Sequence, residues 1–458
     1  MQSKQSKRVY FVGVGGIGMS ALARFFLHQG FQVAGYDRTH SPLIGKLEEA
    51  GIVVTLEDQA EAIPSDFQGA DTLVIYTPAI PTSHPQLAYF AAQGNRIIKR
   101  SQALGELTAN SYLEAVAGTH GKSSTSTMAA WFNQATGSQS AFLGAISKNY
   151  GTNMIMGEGE KIVVEADEFD RSFLQLYPDS AVITAADADH LDIYGTPQEF
   201  QKAFEQFAAQ IKSGGRVIIK KGVELNIDRQ DISTLSYSLD DPSTDYHAKN
   251  ITALEHGEYS YDLVTPRKTY KGCRLGVPGL INLENSIAAT ALIDTGEVSE
   301  EKLKEAMRSF KGIERRFDLH ISTNKIVYMD DYAHHPTELE AMLTSVRSIY
   351  QEAKITIIFQ PHLFTRTKDF CEGFASALSL ADNVILLPIY PAREEPIEGV
   401  TSQIIYDRIT APKMLIEKEQ LLEELANEKN LQVVVTAGAG DIDRLVPKVK
   451  ELLKERVE

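Results

Sequence analysis

The stretch AVAGTHGKSSTSTMAAWF, residues 115–132, decides the fold of the central part of the chain. It begins inside an apolar strand candidate, Tyr112 to Ala117, and passes through a glycine turn into a helical pattern headed by Lys122. Such a turn lets backbone N–H groups face an anion, and the helix N-terminus adds the positive end of its dipole. The residues expected to form this phosphate-binding loop are Gly118, Thr119, His120, Gly121, Lys122, Ser123 and Ser124.

Lys122 and Ser123 have different expected roles in this loop. The lysine can reach the β- and γ-phosphates of a nucleotide, and the serine hydroxyl can bind Mg²⁺. Val116 stands where the common G-x-x-x-x-G-K-S spacing has its first glycine, which indicates a particular branch of phosphate-loop proteins. The alternative is an ordinary strand-turn-helix unit with a solvated lysine.

Two later strand candidates end in acidic residues. Ile162 to Val164 leads into EADE, which starts at Glu165, and Ala181 to Thr184 is followed by DADH, which ends at His190. Parallel strands end at one edge of a sheet, so we expect these groups to meet Lys122. Oxygen ligands suit Mg²⁺, whereas histidine is a less usual ligand for it. Either acidic cluster alone could be surface charge at a strand end.

The first 108 residues alternate strand and helix candidates, which predicts a parallel sheet. A G-x-G-x-x-G match, Gly13 to Gly18, follows the first strand, and Asp37 follows the second. This pattern fits the pyrophosphate of a nicotinamide cofactor or of a UDP-sugar, and Asp37 is either a ligand or a turn residue. The residues expected to bind this ligand are Gly15, Gly16, Ile17, Gly18, Asp37, Ala79 and Ile80.

Length and charge limit the possible functions. A chain of 458 residues predicts about three domains. The net charge of −16 disfavours nucleic acid or an anionic membrane as a partner. No apolar run reaches the ~18 residues of a membrane helix, and two cysteines give no disulfide framework. We therefore expect a cytoplasmic protein. The expected oligomeric state is a monomer or a weak homodimer.

Taken in order, the motifs resemble the Mur ligase family over nearly the whole chain. The matching stretches are GVGGIGMS, AGTHGKSS, EADEFDRSF, DADHLDIY, RRFD, DDYAHHPTE, FQPHLFTRT, YPAREEPI and AGAGDI. The resemblance implies an α/β fold of three domains: an N-terminal Rossmann-like UDP-sugar domain (1–108), a central P-loop ATPase domain with a mostly parallel sheet (109–317), and a C-terminal Rossmann-like domain (318–458). The third domain would close over ATP and the amino acid.

The resemblance also implies an activity. It implies an ATP-dependent ligase of peptidoglycan synthesis, which joins L-alanine to the lactyl carboxylate of UDP-N-acetylmuramate through an acyl phosphate. ATP and Mg²⁺ are the implied cofactors. A ligase that attaches a murein tripeptide to the same UDP-sugar is the alternative. A nicotinamide oxidoreductase and a non-catalytic nucleotide sensor are less favoured alternatives, because neither gives Lys122 a role in catalysis.

The family's site residues map onto all three regions of this sequence. The expected catalytic residues are Lys122, Glu165, His190, Arg316 and Asp331, of which Arg316 and Asp331 also bind ATP. The expected metal ligands are Ser123, Glu165 and His190. Asn282 and Asn285, which otherwise read as helix caps, are expected beside the adenine. The expected amino-acid-binding residues are Tyr332, His334, His362 and Arg366.

Overall fold

The computed structural model describes residues 8–187, 191–254, 257–295, 298–392 and 394–457. Three large sheets occupy successive parts of the chain, and each is parallel except for one antiparallel strand pair in the second and one in the third. The predicted α/β fold class is confirmed. His190 lies outside the described residues.

The first sheet is fully parallel, with strand order β3-β2-β1-β4-β5. Its β1 is almost entirely buried, as expected for a strand covered on both faces. The elements of this region are β1 (Arg8–Val12), α1 (Ile17–His28), β2 (Gln32–Tyr36), α2 (Pro42–Glu49), β3 (Val53–Thr55), β4 (Leu73–Tyr76), α3 (Pro85–Ala92), β5 (Ile97–Lys99) and α4 (Arg100–Thr108).

The second sheet has the order β12-β11-β10-β6-β9-β7-β8, so the strand that precedes the phosphate loop lies near its centre. Its elements are β6 (Tyr112–Ala117), α5 (Lys122–Phe132), β7 (Gln139–Ser147), β8 (Thr152–Ile155), β9 (Lys161–Glu165), β10 (Ser180–Ile183), α6 (Leu191–Tyr194), α7 (Pro197–Ala209), β11 (Arg216–Lys220) and β12 (Ser233–Tyr237). A three-stranded sheet and two helices follow: β13 (His247–Ala253), β14 (Tyr259–Val264), β15 (Thr269–Arg274), α8 (Leu280–Ile293) and α9 (Glu300–Ser309).

The third large sheet has the order β16-β17-β21-β18-β19-β20. Its elements are β16 (Asp318–Ser322), β17 (Val327–Asp331), α10 (Pro336–Ile349), β18 (Ile355–Phe359), α11 (Phe364–Asp369), α12 (Cys371–Leu378), β19 (Asn383–Leu386), α13 (Gln403–Tyr406), β20 (Lys413–Leu415), α14 (Leu421–Asn427), β21 (Val433–Ala437) and α15 (Val446–Lys454). The polar motifs of this region follow the buried strands β17, β18 and β21.

The chain forms two compact units. The first comprises Met1–Asn250, Tyr261–Cys273 and Glu284–Phe310, and the second Ile251–Ser260, Arg274–Leu283 and Lys311–Glu458. The first two large sheets thus belong to one unit, and the third belongs to the other. The expected domain boundaries at 108/109 and 317/318 stay predictions. Within the described residues, no helix is both long and apolar enough to cross a membrane.

Candidate active site

The predicted phosphate loop joins the end of β6 to the start of α5. Gly118 and Gly121 have φ values of +137° and +80°, a region that favours glycine. A Cβ atom on Gly118 would also overlap Oγ1 of Thr184, which follows β10. The two glycines are therefore required by the turn and by the close approach of the neighbouring strand.

Glu165 and Ser123 meet at the edge of the second sheet, as the strand pattern predicts. Strands β9 and β10 both pair in parallel with β6, so their carboxyl ends flank the loop. The Ser123 hydroxyl donates to Oε1 of Glu165 at 3.1 Å, and the Gly144 N–H donates to Oε2 at 3.0 Å. A serine hydroxyl beside a carboxylate is an oxygen donor set that suits Mg²⁺.

Gly144, in β7, is a site residue that sequence reasoning missed. A Cβ atom at this position would overlap the carboxylate of Glu165. The signal in the sequence is a glycine inside a strand, which often marks the close approach of another group. Gly144 therefore leaves the space in which the Glu165 side chain lies.

Lys122 is held by oxygen atoms of the protein. Its Nζ donates to the Gly118 carbonyl at 2.6 Å and to Oε1 of Glu168 at 2.8 Å. Burial lowers the pKa of Lys122, but Glu168, Asp167 and Glu165 outweigh it and the pKa is raised. Burial raises the pKa of Glu168, and the ammonium of Lys122 opposes the increase and favours the carboxylate. The sequence placed Glu168 in an acidic motif without indicating that it pairs with the lysine.

The outer part of the loop is tied to the segment after β10. The Thr119 N–H donates to the Ala185 carbonyl at 3.2 Å, and the Thr119 hydroxyl donates to the Asp187 carbonyl at 3.1 Å. Thr184 donates through its hydroxyl to the carbonyl of His120. Among the described residues, no group of three or more His, Cys, Asp or Glu side chains is arranged to hold a metal ion. The third expected ligand, His190, is not among them.

The two asparagines expected beside the adenine lie in the first two turns of α8, and both are buried. Asn285 is beside the phosphate loop, where its Oδ1 accepts from the Thr125 hydroxyl at 3.4 Å. Asn282 donates from Nδ2 to the carbonyl of Pro278 at 2.7 Å. The side chain of Asn282 thus binds the backbone that precedes its own helix.

The glycine turn after β1 is held by Asp37. Its Oδ2 accepts from the Gly15 N–H at 2.8 Å, and its Oδ1 accepts from the Thr39 N–H at 3.4 Å. In this structure Asp37 therefore acts as a turn residue. The loop that carries Ala79 and Ile80 packs on the same turn, since a Cβ on Gly13 would lie 3.4 Å from Cγ1 of Ile80.

Arg100 lies against the start of α1 and was also missed. A Cβ atom on Gly18 would lie 2.6 Å from Nη1 of Arg100, and Nη2 of the same guanidinium donates to Oδ2 of Asp167 at 3.1 Å. The third glycine of the G-x-G-x-x-G motif thus makes room for an arginine. Arg100 links the glycine turn to the acidic segment that follows β9.

Asp331, at the end of β17, holds the backbone around it. Its Oδ2 accepts from the Phe317 N–H at 2.7 Å, and its Oδ1 accepts from the Ala333 N–H at 2.8 Å. Burial raises the pKa of Asp331, and Arg316 opposes the increase. Arg316 lies 3.8 Å from Glu338 and its guanidinium is 5.1 Å from the centroid of the Tyr332 ring. The expected pair of Arg316 and Asp331 therefore shares one region of the second unit.

The residues expected to bind the amino acid also lie in one region of the second unit. The ring centroids of Tyr332 and His334 are 5.1 Å apart, and those of His334 and His362 are 6.0 Å apart. Burial lowers the pKa of His334 to about 4, with Glu338 opposing and Arg366 adding to the decrease. His334 is therefore a neutral imidazole at pH 7, and its Nδ1 donates to the Tyr332 carbonyl at 2.9 Å.

Family models match three consecutive stretches of the chain. They are the Mur ligase family catalytic domain at residues 8–112, the Mur ligase middle domain at 116–293, and the Mur ligase glutamate ligase domain at 315–440. The chain belongs to the Mur ligase family. The resemblance inferred from the motifs is thereby confirmed.

This Mur ligase is similar to curated proteins along its whole length. A UDP-N-acetylmuramate–L-alanine ligase of Phocaeicola vulgatus is 48% identical over 98% of this chain and 99% of that protein. One from Flavobacterium johnsoniae is 44% identical over 100% of both.

Two solved structures show how far the fold of this Mur ligase is shared. The UDP-N-acetylmuramate-alanine ligase MurC of Thermotoga maritima has a TM-score of 0.81 and 27% identity, covering 97% of this chain and 99% of that one. A murein peptide ligase of Psychrobacter arcticus has a TM-score of 0.70 at 20% identity, covering 97% of this chain and 98% of that one, which shows the fold alone. The three-domain Mur ligase fold is therefore that of this chain.

Proposed function

We propose that this Mur ligase joins L-alanine to the lactyl carboxylate of UDP-N-acetylmuramate and converts ATP to ADP and phosphate. The observation that carries the proposal is the similarity to UDP-N-acetylmuramate–L-alanine ligases over at least 98% of the chain. The phosphate loop supports it, because Lys122, Ser123 and Glu165 provide the groups that a phosphoryl transfer requires.

The reaction has two steps. The lactyl carboxylate attacks the γ-phosphate, which releases ADP and leaves an acyl phosphate. The amine of alanine then attacks the acyl carbon, and collapse of the tetrahedral intermediate releases phosphate and forms the amide. Phosphoryl transfer depends mainly on positioning and charge neutralisation. Lys122 would supply positive charge at the phosphates, and no serine or cysteine nucleophile is needed.

The other site residues have proposed roles that the family resemblance implies. Ser123 and Glu165 would hold Mg²⁺, with His190 as a further ligand, and the bound ion would neutralise charge on the phosphates. The turn at Gly15–Gly18 would bind the UDP pyrophosphate at the start of α1. The remaining proposed contacts are Asn282, Asn285, Arg316 and Asp331 for the nucleotide, and Tyr332, His334, His362 and Arg366 for the amino acid.

The test is phosphate release with UDP-N-acetylmuramate and ATP, compared among L-alanine, glycine, L-serine and the murein tripeptide. We expect turnover that depends on L-alanine and on the UDP-sugar. Turnover with the tripeptide but not with L-alanine would reverse the substrate assignment. Tight binding of NAD(H) without binding of the UDP-sugar would overturn the ligase function.

A further inference from the structure

The amine of Lys122 is fully occupied by protein oxygens. Its Nζ contacts the Gly118 carbonyl at 2.6 Å, both carboxylate oxygens of Glu168 at 2.8 Å and the Thr119 carbonyl at 3.4 Å. A lysine ammonium has three N–H donors, and these three groups use all of them. A phosphate oxygen can bind this amine only if one of the three leaves.

Glu168 is fixed in place by its surroundings. Its side chain is 3% exposed, and that of Lys122 is 13% exposed. Its backbone carbonyl accepts from the Tyr194 hydroxyl at 2.6 Å and from the Arg171 N–H at 3.0 Å. Arg171 and the preceding Asp170 have φ values of +54° and +53°, so the chain turns sharply just after Glu168. The carboxylate is thus held against the lysine by a defined backbone conformation.

Of the three groups around Lys122, the Glu168 carboxylate is the one that a phosphate would displace. The two carbonyls belong to the phosphate loop itself and carry no net charge. The carboxylate carries the same sign of charge as a phosphate, and two anions beside one buried ammonium repel each other strongly where the dielectric constant is low. The Glu168 carboxylate and the nucleotide therefore compete for Lys122.

We propose that Glu168 is a positioning residue that binds Lys122 before nucleotide arrives and is displaced from it by the nucleotide phosphates. The carboxylate supplies a counter-ion for a buried ammonium and keeps the lysine in the loop. Its presence lowers the affinity for nucleotide. The inference rests on the proposed function only in that Lys122 binds the phosphates of ATP.

The test is the Kd of ADP for the full-length protein and for Glu168→Gln, measured by calorimetry with Mg²⁺ and again with EDTA. Removing the competing charge is expected to lower the Kd by at least about fivefold in EDTA. Asp170→Asn is the matched control: Asp170 belongs to the same segment but pairs with Lys99 at 2.8 Å, so its loss should leave the Kd unchanged. Glu168→Asp keeps the charge but shortens its reach, and is expected to lower the Kd by a smaller factor.

Three results would overturn the proposal. An unchanged or higher Kd of Glu168→Gln in EDTA would show that the carboxylate does not compete with nucleotide. A higher Kd only with Mg²⁺ would make Glu168 a metal ligand instead. Failure of the wild-type protein to bind ADP would reject both the proposed function and this inference. The first two results would reject only the inference. If Glu168→Gln does not fold, as judged by circular dichroism, the Kd of ADP for Glu168→Asp in EDTA decides: a lower Kd supports the proposal, and an unchanged or higher Kd overturns it.

Discussion

Lys122 is the residue on which the proposed phosphoryl transfer depends most. In Lys122→Ala, we expect phosphate release to fall by at least about 100-fold, as when a single charge-stabilising donor is removed from other active sites. The Kd of UDP-N-acetylmuramate should stay within about threefold of the wild-type value. The turn at Gly15–Gly18, proposed to bind the UDP-sugar, follows a strand of the first sheet, whereas Lys122 follows a strand of the second. Steady-state phosphate release and calorimetry measure the two quantities.

Lys161→Ala is the control for this variant. Lys161 begins β9 in the same sheet and stacks on Tyr112, with its Nζ 5.8 Å from the ring centroid, but it lies at the opposite end of the strand from Glu165. It should retain turnover. Activity retained by Lys122→Ala would refute the assignment of the phosphate loop.

The neutral His334 makes stability depend on pH. Its pKa is lowered to about 4 from the 6.5 of a free imidazole, so the unfolded chain binds the extra proton first as the pH falls. The contribution of the neutral His334 to the free energy of unfolding is complete above pH 6.5 and is lost progressively toward pH 4. Because 21% of the side chain is exposed, we expect a loss of about 1–2 kcal/mol between pH 7 and pH 5. Denaturant unfolding of the second unit at the two pH values measures it.

His334→Asn isolates this effect from the titration of the carboxylates. The Asn amide can still donate to the Tyr332 carbonyl, but it does not titrate. The variant should lose less stability between pH 7 and pH 5 than the wild type. His28→Asn, which removes an exposed histidine of α1, should behave as the wild type does. Equal losses in wild type and His334→Asn would contradict the role given to His334.

Site residues that belong to a local motif could be predicted from the sequence. Those that only contacts in the folded chain identify were missed. Lys122 and Ser123 follow from the glycine turn before them, and Glu165 from its place after a buried strand. Glu168 lies in an acidic motif and Gly144 is a glycine inside a strand, but neither signal names the partner of the residue. Their importance comes from contacts with Lys122 and with Glu165, which only the pairing of β9 with β6 and β7 brings about.

Among the strands, too, the sequence indicates some elements and not others. Strand β18 is fully buried, and its short apolar run, interrupted only by Thr356, is a signal that the sequence carries. The polar, β-rich stretch at 228–271 carries no comparable signal. Its first strand, β12, joins the second sheet, and the next three form a sheet of their own. Partly exposed strands such as β12 and β13 carry little hydrophobic periodicity.

Strand β7 offers a prediction of its own, because Gly144 leaves the space that the Glu165 carboxylate fills. In Gly144→Ala, the new Cβ should push the carboxylate away from Ser123. We expect the Mg²⁺ concentration for half-maximal activity to rise by at least about tenfold, as for changes in the outer shell of other metal sites. A magnesium titration of phosphate release measures it.

Ala145→Gly, one position along the same strand, is the matched control. It changes the next residue of β7 without adding a Cβ beside Glu165, so it should cost about 0.5–1 kcal/mol of stability without changing the magnesium titration. A magnesium dependence of Gly144→Ala equal to that of the wild type would show that Glu165 does not hold the metal.

Across the whole molecule, the arrangement of the cores could not be predicted from the order of the motifs. The motifs predicted three domains, and the fold confirms them, but they do not predict which regions share a core: one core in the first unit includes Val9 of the first sheet, and Leu113 and Phe200 of the second region. The second unit has cores of its own on its sheet, around Met329 and Ile358. Contacts between distant apolar residues decide which regions share a core, and local patterns do not report them.

These separate cores predict two unfolding transitions in differential scanning calorimetry. Phe204→Ala and Phe374→Ala, each of which removes a fully buried ring from one unit, assign the transitions, since such a loss costs about 3–5 kcal/mol. UDP-N-acetylmuramate at 100 times its Kd should add about 2.7 kcal/mol to the free energy of unfolding of the first unit and raise that midpoint by about 4–5 °C. The midpoint assigned to the second unit should stay in place. A single transition, or equal shifts of both midpoints, would mean that the two cores unfold together.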